Sequence, residues 1–184
     1  MPKRRKWSIA QLSEKSEPVR EALAKESNRG AALIGAAYLD DILEALLRCV
    51  FVDQCADELL GINQPLGTFH ARICLAYSVG LLSKHEYQDL EIVRGIRNDF
   101  AHLHDDLTFD NESVKARCEN LQYGCLAKAL RDPRGITTTS KDRFVISVAA
   151  LGQVLVATAK SSRRAVAGQE FYQGQGLWKH RLGL

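Results

Sequence analysis

Three polar residues near the middle of the chain have the types and the spacing that cleavage of a phosphodiester would need. Arg97, Asn98 and His102 lie within six residues, and positions 98 and 102 are neighbours on one face of a helix. A histidine there could move the proton of a ribose 2′-hydroxyl, while an arginine stabilises the charge that develops on the phosphate. Asn98 would orient the histidine or the phosphate. Side chains of these types can transfer a proton beside a phosphate.

The same helix face supports two other interpretations. Gly95 and Ala101 place small side chains among the polar ones, and Arg94 lies one turn before the asparagine. Small residues let another helix approach closely, so Arg94, Gly95 and Ala101 are candidates for a binding surface or for the seam of a homodimer. An exposed helix also carries Arg, Asn and His simply to stay solvated, in weak pairs with acids such as Asp99. Spacing alone leaves all three interpretations open.

A group of metal-binding residue types follows directly. Two histidines, His102 and His104, precede an Asp-Asp pair at 105–106. No second group at ligand spacing accompanies them. We therefore expect no metal ion and no cofactor, and whether the protein is an enzyme stays open.

A long helix from about residue 84 to residue 103 must carry these side chains. Ser83 and Glu86 have the Ser-x-x-Glu spacing of a capping box, which marks its start. At about 100 degrees per residue, its apolar side chains fall in one arc opposite the polar face. That arc comprises Ile92, Val93, Ile96, Phe100 and Leu103.

In the rest of the chain, apolar residues also recur with the helical period. No stretch of useful length alternates apolar and polar residues as a strand would. We predict further helices over about 17–26, 29–52, 68–79 and 110–121, and a last one that begins within 137–140 and runs to about 160, with a loop over 61–67. Ser16 is the predicted N-cap of the first of these, with Pro18 in its first turn. In the second, the stripe expected to face the core is Leu33, Ile34, Ala37, Tyr38, Asp41, Ile42, Ala45, Leu46, Cys49 and Val50. The sequence therefore predicts an all-α fold, a single-domain helical bundle.

The length of the chain and the distribution of its charges limit the possible domain organisation. A chain of 184 residues with 46% hydrophobic residues can bury one sizeable core. Four of the 25 basic residues stand together near the N-terminus: Lys3, Arg4, Arg5 and Lys6. That leaves 21 basic against 22 acidic residues, so the body is close to neutral and only this run is expected to touch nucleic acid, weakly and without specificity. We expect a flexible basic tail at 1–15, a helical domain at 16–166 and a flexible arm at 167–184.

The cysteines and the apolar segments indicate the compartment. Five cysteines, an odd number without C-x-x-C pairing, fit reduced thiols in the cytoplasm. No apolar run follows the N-terminal charges, which argues against a signal peptide. The longest apolar window, 144–159, is shorter than the roughly 20 residues that a bilayer crossing needs. We therefore expect a cytoplasmic protein that does not contact a membrane.

Four short motifs occur in a fixed order in the centre of the chain. They are Pro-Leu-Gly at 65–67, Tyr-x-x-Gly-Leu at 77–81, Glu-Tyr at 86–87 and the run 97–102. In this order they resemble the mannitol operon repressor family of bacterial regulators, over roughly residues 30 to 122. The resemblance implies an all-helical fold and a role in transcriptional control of sugar-alcohol uptake. Because the sequence offers no helix-turn-helix with a basic second helix, we expect regulation through a protein partner rather than direct operator reading.

The run from Arg97 to His102 also has an arginine followed by a polar residue and then, a few residues on, by a histidine. In this it resembles the HEPN superfamily of helical proteins. That resemblance implies a HEPN-like bundle and a toxin-like, metal-independent ribonuclease in which Arg97, Asn98 and His102 of two subunits meet. Many members of the superfamily bind without cutting. The regulatory role is the first choice, the ribonuclease is the alternative, and RNA is a candidate ligand.

The candidate seam makes a prediction about oligomeric state. If two copies meet through Arg94, Gly95 and Ala101, a bulky side chain at a small position should separate them, because a two-fold interface presents each substitution twice. We expect Ala101→Trp to shift the protein from dimer toward monomer in sedimentation velocity. If the variant is still a dimer, the two copies meet through a different surface.

Overall fold

The computed structural model describes residues 8–51, 53–102, 107–124 and 139–162, without the side chains of 12–17, 53–54 and 102. No strand occurs in these ranges. The helices are α1 (Ile9–Lys25), α2 (Asn28–Val50), α3 (Asp53–Leu60), α4 (Phe69–Ser78), α5 (Lys84–His102), α6 (Glu112–Asn120) and α7 (Ser140–Ser161). The predicted all-α fold is confirmed. The basic run at 3–6 and the arm predicted at 167–184 lie outside the described residues.

Side-chain caps start several helices at the predicted boundaries. The hydroxyls of Thr68 and Thr139 accept backbone N–H groups at the start of α4 and α7. Gly80, which follows α4, has a φ of +76°, a left-handed conformation that glycine adopts without steric cost. Local chemistry therefore suffices to place these ends.

The first helix is longer than the sequence prediction. The Ser8 hydroxyl accepts the N–H of Gln11, whose side chain accepts the N–H of Ser8 in return. This capping box satisfies two backbone donors, so the helix starts here and the predicted N-cap at Ser16 is wrong. Pro18 consequently lies inside α1 rather than in its first turn. Residues 9–15 belong to this helix instead of to the predicted N-terminal tail.

Helix α2 packs against α1, α3, α4, α5 and α7 and so forms the centre of the bundle. Its buried apolar side chains are Ala31, Ala32, Ala36, Leu39, Ile42, Leu43, Ala45, Leu46 and Leu47. This face differs from the predicted stripe, because Ile34 is 49% exposed and Ala37 is exposed. Helix α7 packs closely against α2 on the side of Gly35, because a Cβ atom on this glycine would lie only 3.2 Å from the ring of Phe144. Small residues, rather than large aliphatic ones, mark the side on which α2 meets α7.

Helix α7 is long and apolar enough to cross a membrane, by length and composition alone. It packs mainly against α1 and α2, and Phe144, Val148, Leu151 and Leu155 are fully buried. An apolar composition of this kind is what a helix needs when it is enclosed by others in a bundle. Its packing therefore accounts for its hydropathy. No other helix in the described ranges has a comparable length and hydropathy.

A buried arginine joins α4 to α2 and to the end of α3. Arg72 is 1% exposed, and its two Nη atoms lie 2.5 Å from Oδ1 of Asp40 and 2.9 Å from Oε2 of Glu44, both on α2. It also donates to the carbonyl oxygen of Leu60, the last residue of α3, at 2.9 Å. A charge can be buried at acceptable cost only when it is paired and hydrogen-bonded. These contacts therefore specify how the three helices are arranged.

Helix α3 is absent from the sequence prediction. Eight residues are too few to form a stable helix alone, so its stability depends on packing. Arg48 of α2, which pairs with Glu44, also holds Asp57 of α3 at 2.6 Å. Ala56 and Leu60 of α3 are buried in the core. These tertiary contacts stabilise the short helix.

The buried arginine makes a prediction about stability. Arg72→Leu should remove the buried guanidinium that pairs with Asp40 and Glu44, whose side chains are only 16% and 14% exposed, while Glu44 keeps its ion pair with Arg48. We expect the free energy of unfolding, measured by urea denaturation, to fall by about 3–5 kcal/mol. Arg20→Leu, at an exposed position of α1, is the matched control and should change it by less than about 0.5 kcal/mol. Equal effects would show that this ion pair does not hold α2 and α4 together.

Candidate functional site

Helix α5 carries the candidate residues, and its start agrees with the sequence prediction. The Ser83 hydroxyl accepts the N–H of Glu86 at 3.3 Å, and Glu86 Oε2 accepts the N–H of Ser83 at 2.6 Å. These two bonds form the predicted capping box. From the predicted apolar arc, the helix buries Val93, Ile96 and Phe100. The opposite, polar face is therefore oriented as the sequence implies.

The core side of α5 also buries a carboxylate that the sequence analysis did not single out. Asp89 is fully buried and accepts the backbone N–H groups of Gln122 and Tyr123, each at 3.0 Å. Burial raises the pKa of Asp89 despite these two hydrogen bonds. The Tyr123 hydroxyl donates to Glu86 at 3.1 Å, and burial with the nearby carboxylates raises the pKa of Tyr123 to about 12. The chain that follows α6 is thereby attached to the start of α5.

The polar face of α5 is divided among three environments, and Arg94 belongs to the first. Its guanidinium lies 2.7 Å from Glu91, which contacts Nδ1 of His70 on α4 at 2.9 Å. Burial acts to raise the pKa of Glu91, but hydrogen bonds from Arg94 and His70 outweigh it and lower that pKa. The hydrogen bond to Glu91 in turn raises the pKa of Arg94. Glu91 therefore links α5 to α4, and Arg94 pairs with it on α5.

Arg117 of α6 covers the second part of the face. Its guanidinium forms an ion pair with Asp99 at 2.8 Å, and a Cβ on Gly95 would lie 3.3 Å from its Nη1 atom. The absence of a side chain at Gly95 thus accommodates an arginine of the same chain. A second helix could reach this part of the α5 backbone only if Arg117 moved. The structure leaves less room for the predicted seam here than the sequence implies.

The third part, which we call the open end of α5, consists of Arg97, Asn98 and Ala101. Ala101 is exposed, whereas Arg97 and Asn98 are half-buried. Within the described ranges, no hydrogen bond or ion pair joins either polar side chain to another residue. His102 is the last residue of α5, and its side chain lies outside the described part of the chain. The catalytic set of Arg97, Asn98 and His102 therefore stays a prediction.

Exposed apolar side chains gather where α4 leads into α5. Tyr77 and Tyr87 stack with their ring centroids 4.6 Å apart. Tyr77 is 40% exposed and Val79 is 53% exposed. Exposed apolar groups of this kind often mark binding surfaces when they are contiguous. Sequence reasoning noted these residues only as part of a family motif.

Metal binding has little support in the described part of the chain. In those ranges no three His, Cys, Asp or Glu side chains come close enough to hold a metal ion. His104 and the Asp-Asp pair at 105–106 lie outside them.

Comparison with known proteins gives two matches. A model of the mannitol repressor family matches residues 15–158. Among solved structures, a chain of the MtlR–HPr complex from Escherichia coli is similar in fold, with a TM-score of 0.64 and 19% sequence identity. That match covers 78% of this chain and 99% of the other. No curated protein matches the chain in sequence.

These matches bear on the two resemblances found in the sequence. The resemblance to the mannitol operon repressor family is confirmed, and the matched region extends beyond 30–122 in both directions. The similarity in fold confirms the helical architecture. Neither match supports the HEPN resemblance or the ribonuclease alternative.

The contacts of Glu91 make a prediction about pH. Because its pKa in the folded protein lies below the ordinary 4.5, ionised Glu91 stabilises the fold above about that pH, and the stabilisation is lost as the pH falls through the lowered value. We expect Glu91→Gln to reduce the free energy of unfolding by about 1 kcal/mol at pH 7. The difference from wild type should shrink in urea denaturation below pH 4.5. Glu58→Gln, at an exposed position of α3, is the control, and a difference that stays constant with pH would contradict the prediction.

Proposed function

Because the chain belongs to the mannitol repressor family, we propose that it acts in transcriptional control by binding a protein partner similar to HPr. The observation that carries this proposal is the fold match over 99% of a chain solved in a complex with HPr. A regulator of this kind needs a surface for its partner, and it needs no catalytic group. We place the protein in the cytoplasm, in keeping with the described cysteines, none of which forms a disulfide.

The charge distribution favours a protein partner over direct reading of DNA. Apart from the basic run at 3–6, the chain has 21 basic and 22 acidic residues, whereas tight DNA binding requires neutralisation of many phosphates. Helix α5, which carries the candidate residues, has three basic and four acidic side chains. Such a helix carries no excess of basic charge with which to bind a phosphate backbone.

We place the partner's contact at the open end of α5. Arg97 and Asn98 are half-buried, and a partner could bind them without breaking any hydrogen bond within the described ranges. Arginine is enriched among the residues that contribute most to protein interfaces. Ala101 beside them is small and exposed, which allows close approach. Pairing of two copies through Ala101 would use the same surface, and it stays a prediction.

Binding of HPr tests the proposal directly. We expect HPr from the same organism to bind the purified full-length chain in isothermal titration calorimetry. Arg97→Glu should weaken binding at least about tenfold, equivalent to about 1.4 kcal/mol, because it reverses a charge at the contact. Asn98→Ala should have a smaller effect. Arg20→Glu reverses a charge on exposed α1 and should leave the affinity unchanged.

Other outcomes of these measurements would show which part of the proposal is wrong. If Arg97→Glu binds normally while Tyr77→Ala does not, the partner contacts the exposed Tyr77 at the end of α4 and the placement is wrong. If HPr does not bind and the chain alone retains one operator sequence tightly at physiological salt, the proposed mechanism is wrong. Weak retention that is lost steeply with added salt agrees with the proposal, since that is how the basic run should behave.

A further inference from the structure

A group of reactive side chains lies across α4 and α5, apart from the open end of α5. We call His70, Cys74, Glu91 and Arg94 the α4–α5 cluster. His70 Nδ1 is 2.9 Å from Oε1 of Glu91. Cys74 Sγ is 3.6 Å from Nε2 of His70 and 3.8 Å from its Nδ1. A thiol, an imidazole and a carboxylate are thus in contact in that order.

Glu91 determines which nitrogen of His70 can accept a proton. An ionised carboxylate only accepts hydrogen bonds, so Nδ1 of His70 carries the proton that faces Glu91. In a neutral imidazole the other nitrogen then has the lone pair. That nitrogen, Nε2, is the nearer one to the sulfur of Cys74. The sulfur lies at similar distances from both ring nitrogens, so His70 can accept the thiol proton after a small rotation that turns the lone pair of Nε2 toward it, and Glu91 can stabilise the imidazolium that results.

Reagents from solution can reach the cluster. The His70 side chain is 54% exposed, and Cys74 is half-buried. Arg94, which pairs with Glu91, also interacts electrostatically with Cys74.

We propose that Cys74 is a modification site that forms a mixed disulfide with low-molecular-weight disulfides. The thiol proton passes to Nε2 of His70, and the thiolate sulfur attacks one sulfur of the disulfide. A new S–S bond forms while the old one breaks, and the second sulfur of the reagent leaves as a thiolate. The exchange needs no other oxidant, and it is independent of the proposed partner.

The other cysteines provide internal comparisons. Cys118 is fully buried, and burial raises its pKa to about 12, so it should be inert in the folded protein. Cys55 is exposed on α3, and in the described ranges no histidine contacts it. Exposure alone would make Cys55 the faster thiol. Assistance from His70 would make Cys74 the faster one.

The experiment uses the native full-length protein and dithiobis-nitrobenzoate, an aromatic disulfide, in less than stoichiometric amount. Mass spectrometry of the peptides gives the extent of modification at each cysteine over time. We expect Cys74 to react at least about tenfold faster than Cys55, because a positioned base contributes at least that much. His70→Gln should remove this advantage.

Two controls separate assistance from unfolding. In His70→Gln the rate at Cys55 should stay unchanged, which shows in the same sample that the fold is retained. His85→Gln replaces an exposed histidine of α5 and should leave both rates as in the wild type. The proposal is overturned if Cys74 reacts no faster than Cys55, or if His70→Gln leaves the ratio of the two rates unchanged.

Discussion

The buried ion pairs of Arg72 are the interaction on which the arrangement of this bundle depends. A guanidinium that is 1% exposed must have its partners in place, and Asp40, Glu44 and the carbonyl of Leu60 supply them. They fix the position and rotation of α4 on α2. Helix α5 follows α4 after a short turn and packs against it, so this constraint also sets where His70 meets Glu91.

Two further polar contacts decide what α5 presents to solvent. Asp89 binds the backbone that follows α6, and Arg117 of α6 reaches back to Asp99 across Gly95. Helix α6 is consequently held along one side of α5. The polar face therefore has three parts with different surroundings. They are a link to α4, a part covered by α6, and an open end.

This division suits a regulator that works through contacts. Members of one family can keep a common helical core while their surfaces differ, because the core is specified by packing and function by particular surface residues. The open end of α5 offers half-buried polar groups to a partner, whereas the α4–α5 cluster offers a thiol to small reagents. Both include residues of α5. The α4–α5 cluster also uses residues of α4, which the open end does not, so the two can be altered separately.

The sequence by itself determined the all-α class, most helix starts and the apolar arc of α5. Capping boxes and the 3.6-residue period act between residues close in the chain, so Ser83 with Glu86 could be read without any structure. It also carried the family motifs that the comparison confirmed. The same reasoning missed the Ser8 cap because Ser16 with Pro18 offered a second plausible start. On α2 it expected Ile42, Ala45 and Leu46 in the core correctly, but it also placed Ile34 there instead of Gly35 and its small neighbours.

Only the tertiary structure decided the partners of Arg72, the formation of α3, the burial of Asp89 and the cover over Gly95. Each of these joins residues that are far apart in the chain, as Arg72 with Asp40 and Arg117 with Asp99 show. The identity of a polar residue does not show whether its side chain is solvated or buried against an opposite charge. Its environment is set by which helix packs over it, and that is a property of the whole bundle rather than of the local sequence.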